Sequence, residues 1–132
     1  MTFLKNFLDW FKLKPKLDSH NHKPPFVSEG QIFWCHLGEN IGTEISGKSH
    51  LYTRPIIIAK KLSRHTFLII PTSTQIKSGS WFSYFVHNKI EMVACLHQIR
   101  VIDYRRLQTL IGEIDSNDFK KIKQDLNNLY NF

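Results

Sequence analysis

Between Gly30 and Asp103 the chain is built from short apolar runs, each closed by glycine, proline or a polar cluster. "QIFWCHL" lies between glycines at 30 and 38, and "RPIIIAKK" carries a proline at its second residue, where a strand starts or forms an edge. "HTFLIIP" follows a short turn at Leu62–Arg64. "SWFSYFVHNKIEMVACL" reads as a hairpin turning at His87–Lys89, with Trp81, Ser83 and Phe85 on one face and Phe82, Tyr84 and Val86 on the other. "HQIRVID" is a further strand, and "YRRLQTL" reads as a helical turn. Runs this short cannot be long helices. They predict a mainly β protein, with five or six strands in a small, strongly curved sheet or partial barrel.

The two ends of the chain read differently. "DSNDFKKIKQDLNNLYNF" opens on Asp115 and Ser116 as helix caps and sets Phe119, Ile122, Leu126 and Leu129 in a helical stripe, a packing face for a C-terminal helix. "TFLKNFLDWFKLK" places Phe3, Leu4, Phe7, Leu8 and Phe11 on one face of a short amphipathic helix. That face is expected to dock on the domain or a partner subunit rather than on a membrane. Residues 13–29, with three prolines and neither periodicity, read as a linker. His20 and His22 within it lack a second pair of ligands for a metal.

At 132 residues the chain suits one domain. Eighteen Lys+Arg against eleven Asp+Glu leave a formal charge of +7, which favours an anionic partner such as nucleic acid. Cys35 and Cys95 each sit in an apolar stretch, and read as buried thiols of a cytoplasmic protein rather than a disulfide framework. No run reaches the length of a membrane span, and Lys5, Asn6 and Asp9 interrupt any leader-like apolar core. Walker A, G-x-S-x-G, dinucleotide and Cys-x-x-Cys patterns do not occur, so no cofactor is indicated.

The remaining polar residues gather at strand ends. Arg54 closes the long loop "GENIGTEISGKSHLYT", which also holds Glu44 and Lys48; "PTSTQ" (Pro71–Gln75) offers hydroxyls in what reads as an irregular turn. "HQIR" contributes His97, Gln98 and Arg100. Brought together, these would line a basic, hydroxyl-rich cleft suited to a phosphodiester. On spacing alone the reading stops at a basic, all-β binding domain.

In order and spacing, "GQIFWCHLG", "GTE…GK…RP", "PTSTQIK" and "QIRVID…RL" resemble the MazF/PemK-like toxins of bacterial type II toxin–antitoxin systems. The resemblance starts near Glu29, dividing the chain into residues 1–28 and a toxin-like domain over 29–132. It implies an SH3-like β-barrel, usually dimeric, with an added N-terminal helix. It also implies a metal-independent endoribonuclease that cuts single-stranded RNA by attack of the 2′-OH, and an acidic antitoxin as protein partner.

Carried over residue by residue, the resemblance makes Arg54 the scissile-phosphate ligand and Ser73 the hydroxyl holding a non-bridging oxygen or the 2′-OH. Thr74 is an alternative hydroxyl, and Glu44 a candidate base. His97 stands where some relatives carry an aspartate acting as acid or base, and a histidine titrates in the range that role needs. Lys48, Gln75, Gln98 and Arg100 are candidate substrate contacts. Thr43 occupies a position where some relatives have histidine. Trp34 is expected in the core, with at most one of Trp81 and Tyr84 near RNA. A non-catalytic RNA- or DNA-binding module and a protein-interaction domain are the competing readings.

Overall fold

The computed structural model describes residues 5–132, so Phe3 and Leu4 lie outside the described residues. Seven strands form: β1 Gln31–His36, β2 Thr53–Lys61, β3 Thr66–Ser73, β4 Phe82–His87, β5 Ile90–Cys95, β6 Arg100–Asp103 and β7 Leu107–Glu113. They pair antiparallel in the order β4-β5-β3-β2-β1-β7, with β6 added on β3, giving a curved half-barrel. Helix α1, Phe7–Ser19, precedes the sheet and α2, Ser116–Tyr130, follows it.

The apolar runs are continuous because both faces of the central strands are covered. Ile56 and Ile58 of β2 and Phe67 and Ile69 of β3 point into one core with Val27, Phe33, Cys35, Leu37 and Ile102. Their neighbours Ile57 and Ile70 point into a second core with Ile32, Phe85, Met92 and Leu96. There Ile122 is buried and Phe119, Leu126 and Leu129 pack beside it, so the helical stripe of α2 is a packing face. Asp115 caps that helix by accepting from the Asn117 and Asp118 N–H groups at 3.0 and 3.2 Å.

The β4–β5 hairpin turns on Asn88 and Lys89, whose φ values of 49° and 66° match the two left-handed positions of a tight hairpin turn. Ser83 and Phe85 are buried, whereas Tyr84 and Val86 are exposed, in keeping with the expected alternation. Both cysteines are buried and free, and burial pushes the Cys35 thiol up to about 12.

Several expectations are corrected. Only Tyr104–Arg106 of "YRRLQTL" is helical; Leu107 onwards is β7, an edge strand on β1 interrupted by two register shifts. The polar positions Gln108 and Thr109 hid its period. Pro71–Ser73 belong to β3 rather than to a turn. His97 and Gln98 lie in a 3₁₀ turn, so the late strand starts only at Arg100.

Helix α1 continues to Ser19 with Pro15 inside it, where a linker was expected. The carbonyl that Pro15 cannot satisfy belongs to Phe11, an exposed residue of the helix. Phe7, Leu8 and Phe11 face outwards, and Trp10 is the residue that docks. Its indole lies edge-on to Tyr52 at 5.6 Å and under the Arg106 guanidinium at 5.7 Å. It also covers Gly38, whose φ of +86° and close contact with the indole leave no room for a Cβ. Among the described residues no helix is long and apolar enough to cross a membrane.

Candidate functional site

Two clefts meet at Arg54 and Ser73. The first, about 190 Å³, is walled by Thr43, Ile45, Gln75, Lys77, Phe82 and His97, with Cys95 and Gln98 at its back. The second, about 300 Å³, is walled by Trp34, Lys48, Pro55, Thr74 and Met92. Arg54 and Ser73 line both.

Arg54 is held by main-chain carbonyls. Its Nε donates to the Ser46 carbonyl and its Nη1 to the Thr72 carbonyl at 3.5 Å. No carboxylate among the described residues pairs with it. Half-burial lowers its pKa, but a guanidinium remains charged at neutral pH. The result is a fixed cation with donors to spare, at the junction of two cavities.

Ser73, at the end of β3, accepts the Gln75 N–H on Oγ at 3.1 Å and keeps its hydroxyl proton for another acceptor. Thr72 cannot do this: its hydroxyl donates to the Pro55 carbonyl at 2.6 Å and the residue is buried.

His97 stacks on Trp81, with ring centroids 4.7 Å apart and planes 18° from parallel, and meets Phe82 edge-on at 5.2 Å. Its Nδ1 is buried without a hydrogen-bond partner. Burial lowers the imidazole pKa, Lys77 lowers it further, and the nearby Trp81 carbonyl acts in the opposite direction. The imidazole lines the cleft that holds Arg54 and favours its neutral form, with the unpartnered Nδ1 covered by its neighbours.

The long loop between β1 and β2 forms one wall. Asn40 donates to the carbonyls of Leu37 and Ile45 at 3.1 and 2.8 Å, and its N–H donates to Ser46 Oγ at 2.9 Å. Gln98 clamps the loop from outside, accepting the Ile45 N–H at 3.0 Å and donating to the Thr43 carbonyl at 2.9 Å. The residues leading into helix α1 hold its far side: Lys5 Nζ donates to the Asn40 carbonyl at 2.6 Å, and the Asn6 N–H donates to Glu39 at 3.2 Å.

At Gly47 the loop crosses the Tyr52 carbonyl so closely that a Cβ would overlap it. Gly47→Ala is expected to cost about 1–3 kcal/mol and to lower Tm by about 4 °C per kcal/mol. It also displaces the Ser46 carbonyl that orients Arg54. A melting curve unchanged by this substitution would refute the tight crossing.

The candidate residues thus separate. Arg54, Ser73, Gln75 and His97 share the first cleft, and Lys48 and Thr74 join the second. Gln98 reaches the first cleft, but both ends of its amide are engaged by the loop. Glu44 lines neither cleft; it accepts the Ile41 N–H at 2.9 Å within its own turn and makes no ion pair with Lys48. Arg100 also lies outside both, close enough to Cys35 and Arg106 to influence their ionisation.

Trp34 is corrected from core to cleft wall, with 38% of its surface exposed. Trp81 stands beside the cleft behind His97, whereas Tyr84 is bonded to Glu91 at 2.8 Å and lines neither cavity. Lys77 and Phe82 were not singled out as site residues. Lys77 falls two residues after Gln75 in a polar loop, and only the fold turns it inwards.

The fold is shared with solved toxins. MazF from Deinococcus radiodurans superposes with a TM-score of 0.67 at 16% identity, over 82% of this chain and 100% of that one. An endoribonuclease in complex with its cognate antitoxin, from Mycobacterial species, gives 0.61 at 13% identity, over 81% and 97%. The Mycobacterium tuberculosis toxin MazF-mt6 gives 0.59 at 12% identity, over 77% and 97%. No curated protein sequence matches the chain significantly. The model of the PemK-like, MazF-like toxins of type II toxin–antitoxin systems matches residues 28–130, and the chain belongs to that family.

Proposed function

We propose that the protein is an endoribonuclease that cuts single-stranded RNA without a metal ion. The observation that carries this reading is an uncompensated Arg54 guanidinium sharing one cleft with the Ser73 hydroxyl and the His97 imidazole, whose pKa burial lowers. A phosphodiester seated at the junction of the clefts has its non-bridging oxygens against Arg54 and Ser73. His97 takes the proton of the neighbouring 2′-OH. The 2′-oxygen then bonds to phosphorus and the bond to the 5′-oxygen breaks, with Lys77 beside the cleft as proton donor to the departing oxygen. The products are a 2′,3′-cyclic phosphate and a 5′-hydroxyl. Charge that builds on the phosphorane oxygens is where a preorganised arginine contributes most.

The flanking nucleotides occupy the two cavities, one against Phe82 and the other against Trp34, since aromatic side chains stack bases whatever their identity. The reading includes a homodimer in the cytoplasm, and an antitoxin whose acidic segment neutralises Arg54 and Lys48. The mycobacterial endoribonuclease in complex with its cognate antitoxin supports the last part by analogy. Incubating a long unstructured RNA with the protein in EDTA and mapping the ends tests the reaction. Discrete cuts bearing cyclic phosphate are expected.

One observation favours a second reading, a binding module that holds RNA without cutting it: neither cleft is lined by a carboxylate, since Glu44 is turned into its own loop. Salt-sensitive binding of intact RNA would decide for it.

A further inference from the structure

We infer that the segment Lys23–Phe26, together with the β2–β3 turn, forms a second binding site for single-stranded RNA, remote from Arg54. The inference rests on the RNA reading above and extends it to a part of the chain that precedes the matched family region at residues 28–130.

Lys23–Phe26 is pinned at both ends. On one side the His22 carbonyl accepts from Tyr104 Oη at 2.7 Å, and the His22 ring packs edge-on to Tyr104 at 5.0 Å. On the other, Val27 is buried in the first core and the Ser28 N–H donates to Gln31 at 2.7 Å. Between these anchors Pro24 and Pro25 stiffen the backbone. The segment is therefore presented on the surface in a fixed form.

What it presents is Phe26, 88% exposed although its neighbour Val27 is 2% exposed. The Lys61 ammonium lies over the ring, 5.3 Å from its centroid, so one face carries a cation while most of the ring stays open to solvent. Lys23, Lys61 and Arg64 surround a hollow of about 520 Å³ with Pro24, Pro25 and Phe26. No carboxylate lines it, and none of the three cations has an ion-pair partner among the described residues. The nearby Glu29 is occupied, accepting the Lys61 backbone N–H at 3.1 Å.

A rigid, open aromatic ring ringed by unpaired cations has the elements that bind a single strand: a stacking platform with phosphate contacts beside it. An acidic protein segment would use the cations but would not need the ring. Along β2, Arg54 and Lys61 are separated by about 23 Å of extended chain. One RNA can occupy both places only if it runs well beyond the scissile phosphate. The site therefore adds affinity for long RNA and leaves the cleavage chemistry to the clefts.

The test compares two fluorescent 2′-O-methyl oligoribonucleotides, which resist cleavage, of about 4 and about 16 nucleotides. Phe26→Ala should weaken the longer one about 5- to 150-fold, leave the shorter one unchanged, and leave Tm unchanged because the ring is exposed. Phe26→Trp should retain the affinity. Lys61→Ala with Arg64→Ala should reduce the salt slope for the longer strand by about 1.4. Equal binding of both lengths by Phe26→Ala and the unaltered protein overturns the second site while the cleft reading stands. Absence of RNA binding by the unaltered protein overturns both. Phe26-dependent adhesion to anionic vesicles with RNA affinity unmoved overturns the site in favour of a membrane surface.

Discussion

Arg54→Ala is expected to reduce RNA cleavage by about 10²–10³ while the fold survives. Arg54 is half-buried, and its partners are the carbonyls of Ser46 and Thr72 rather than another charge, so its removal strands no buried ion. Its spare donors face the junction of the two clefts, where they gain most when negative charge accumulates on the phosphate. The loss should therefore fall mainly on kcat, with a weaker effect on RNA affinity. Arg54→Lys keeps a positive charge but cannot reproduce the fork that spans two carbonyls and a phosphate, so it should recover only part of the rate. Single-turnover cleavage of a fixed RNA, run beside a melting curve, reads both quantities. Full activity in Arg54→Ala would place the scissile phosphate elsewhere. Weakened affinity in Arg54→Ala, with RNA left intact by the unaltered protein as well, would identify the binding module.

The sequence made legible whatever depends on local pattern. β1 to β3, the hairpin through Asn88 and the stripe on α2 each carry a period or a turn that survives in the fold. β7 was hidden because an edge strand with two register shifts has no clean alternation to show. Trp34 shows why burial was harder to read than strand position. It shares a face of β1 with Ile32; Ile32 is in the second core with Ile114 and Ile122, while Trp34 borders the cavity at Arg54. Nothing in "QIFWCHL" marks where that cover stops.

The site was legible by resemblance and only in part by residue type. Arg54, Ser73 and His97 come from three separate segments, and their meeting depends on β3 lying between β2 and β5. Gln98 was read as a ligand of the substrate and is engaged by the loop instead; an amide has the same appearance in sequence whether it faces RNA or the main chain. Glu44 is lost to the cleft for a similar local reason, an acceptor position within its own turn.

His97 carries the other large effect. His97→Asn, which keeps a planar polar group beside Trp81 but removes the titrating nitrogen, should slow cleavage by about 10²–10⁴. The pH dependence separates a base from a structural ring. Burial against Trp81 and Phe82 lowers the imidazole pKa below the ordinary histidine value of 6.5, so the active neutral form predominates at pH 7 and is lost only as the pH falls through that lowered value. The rate of the unaltered enzyme should consequently fall on the acid side with a midpoint below 6.5. In His97→Asn that limb should vanish along with the rate. Trp81→Ala supplies the complementary result: with its stacking partner gone the ring is better solvated, its pKa rises, and the acid limb should move to higher pH with the plateau rate largely kept. An acid limb that stays in place in both variants would assign the proton transfer to another group. A limb that moves with Trp81 and disappears with His97 ties it to this imidazole, because no change in packing alone shifts the midpoint in the first variant and abolishes it in the second.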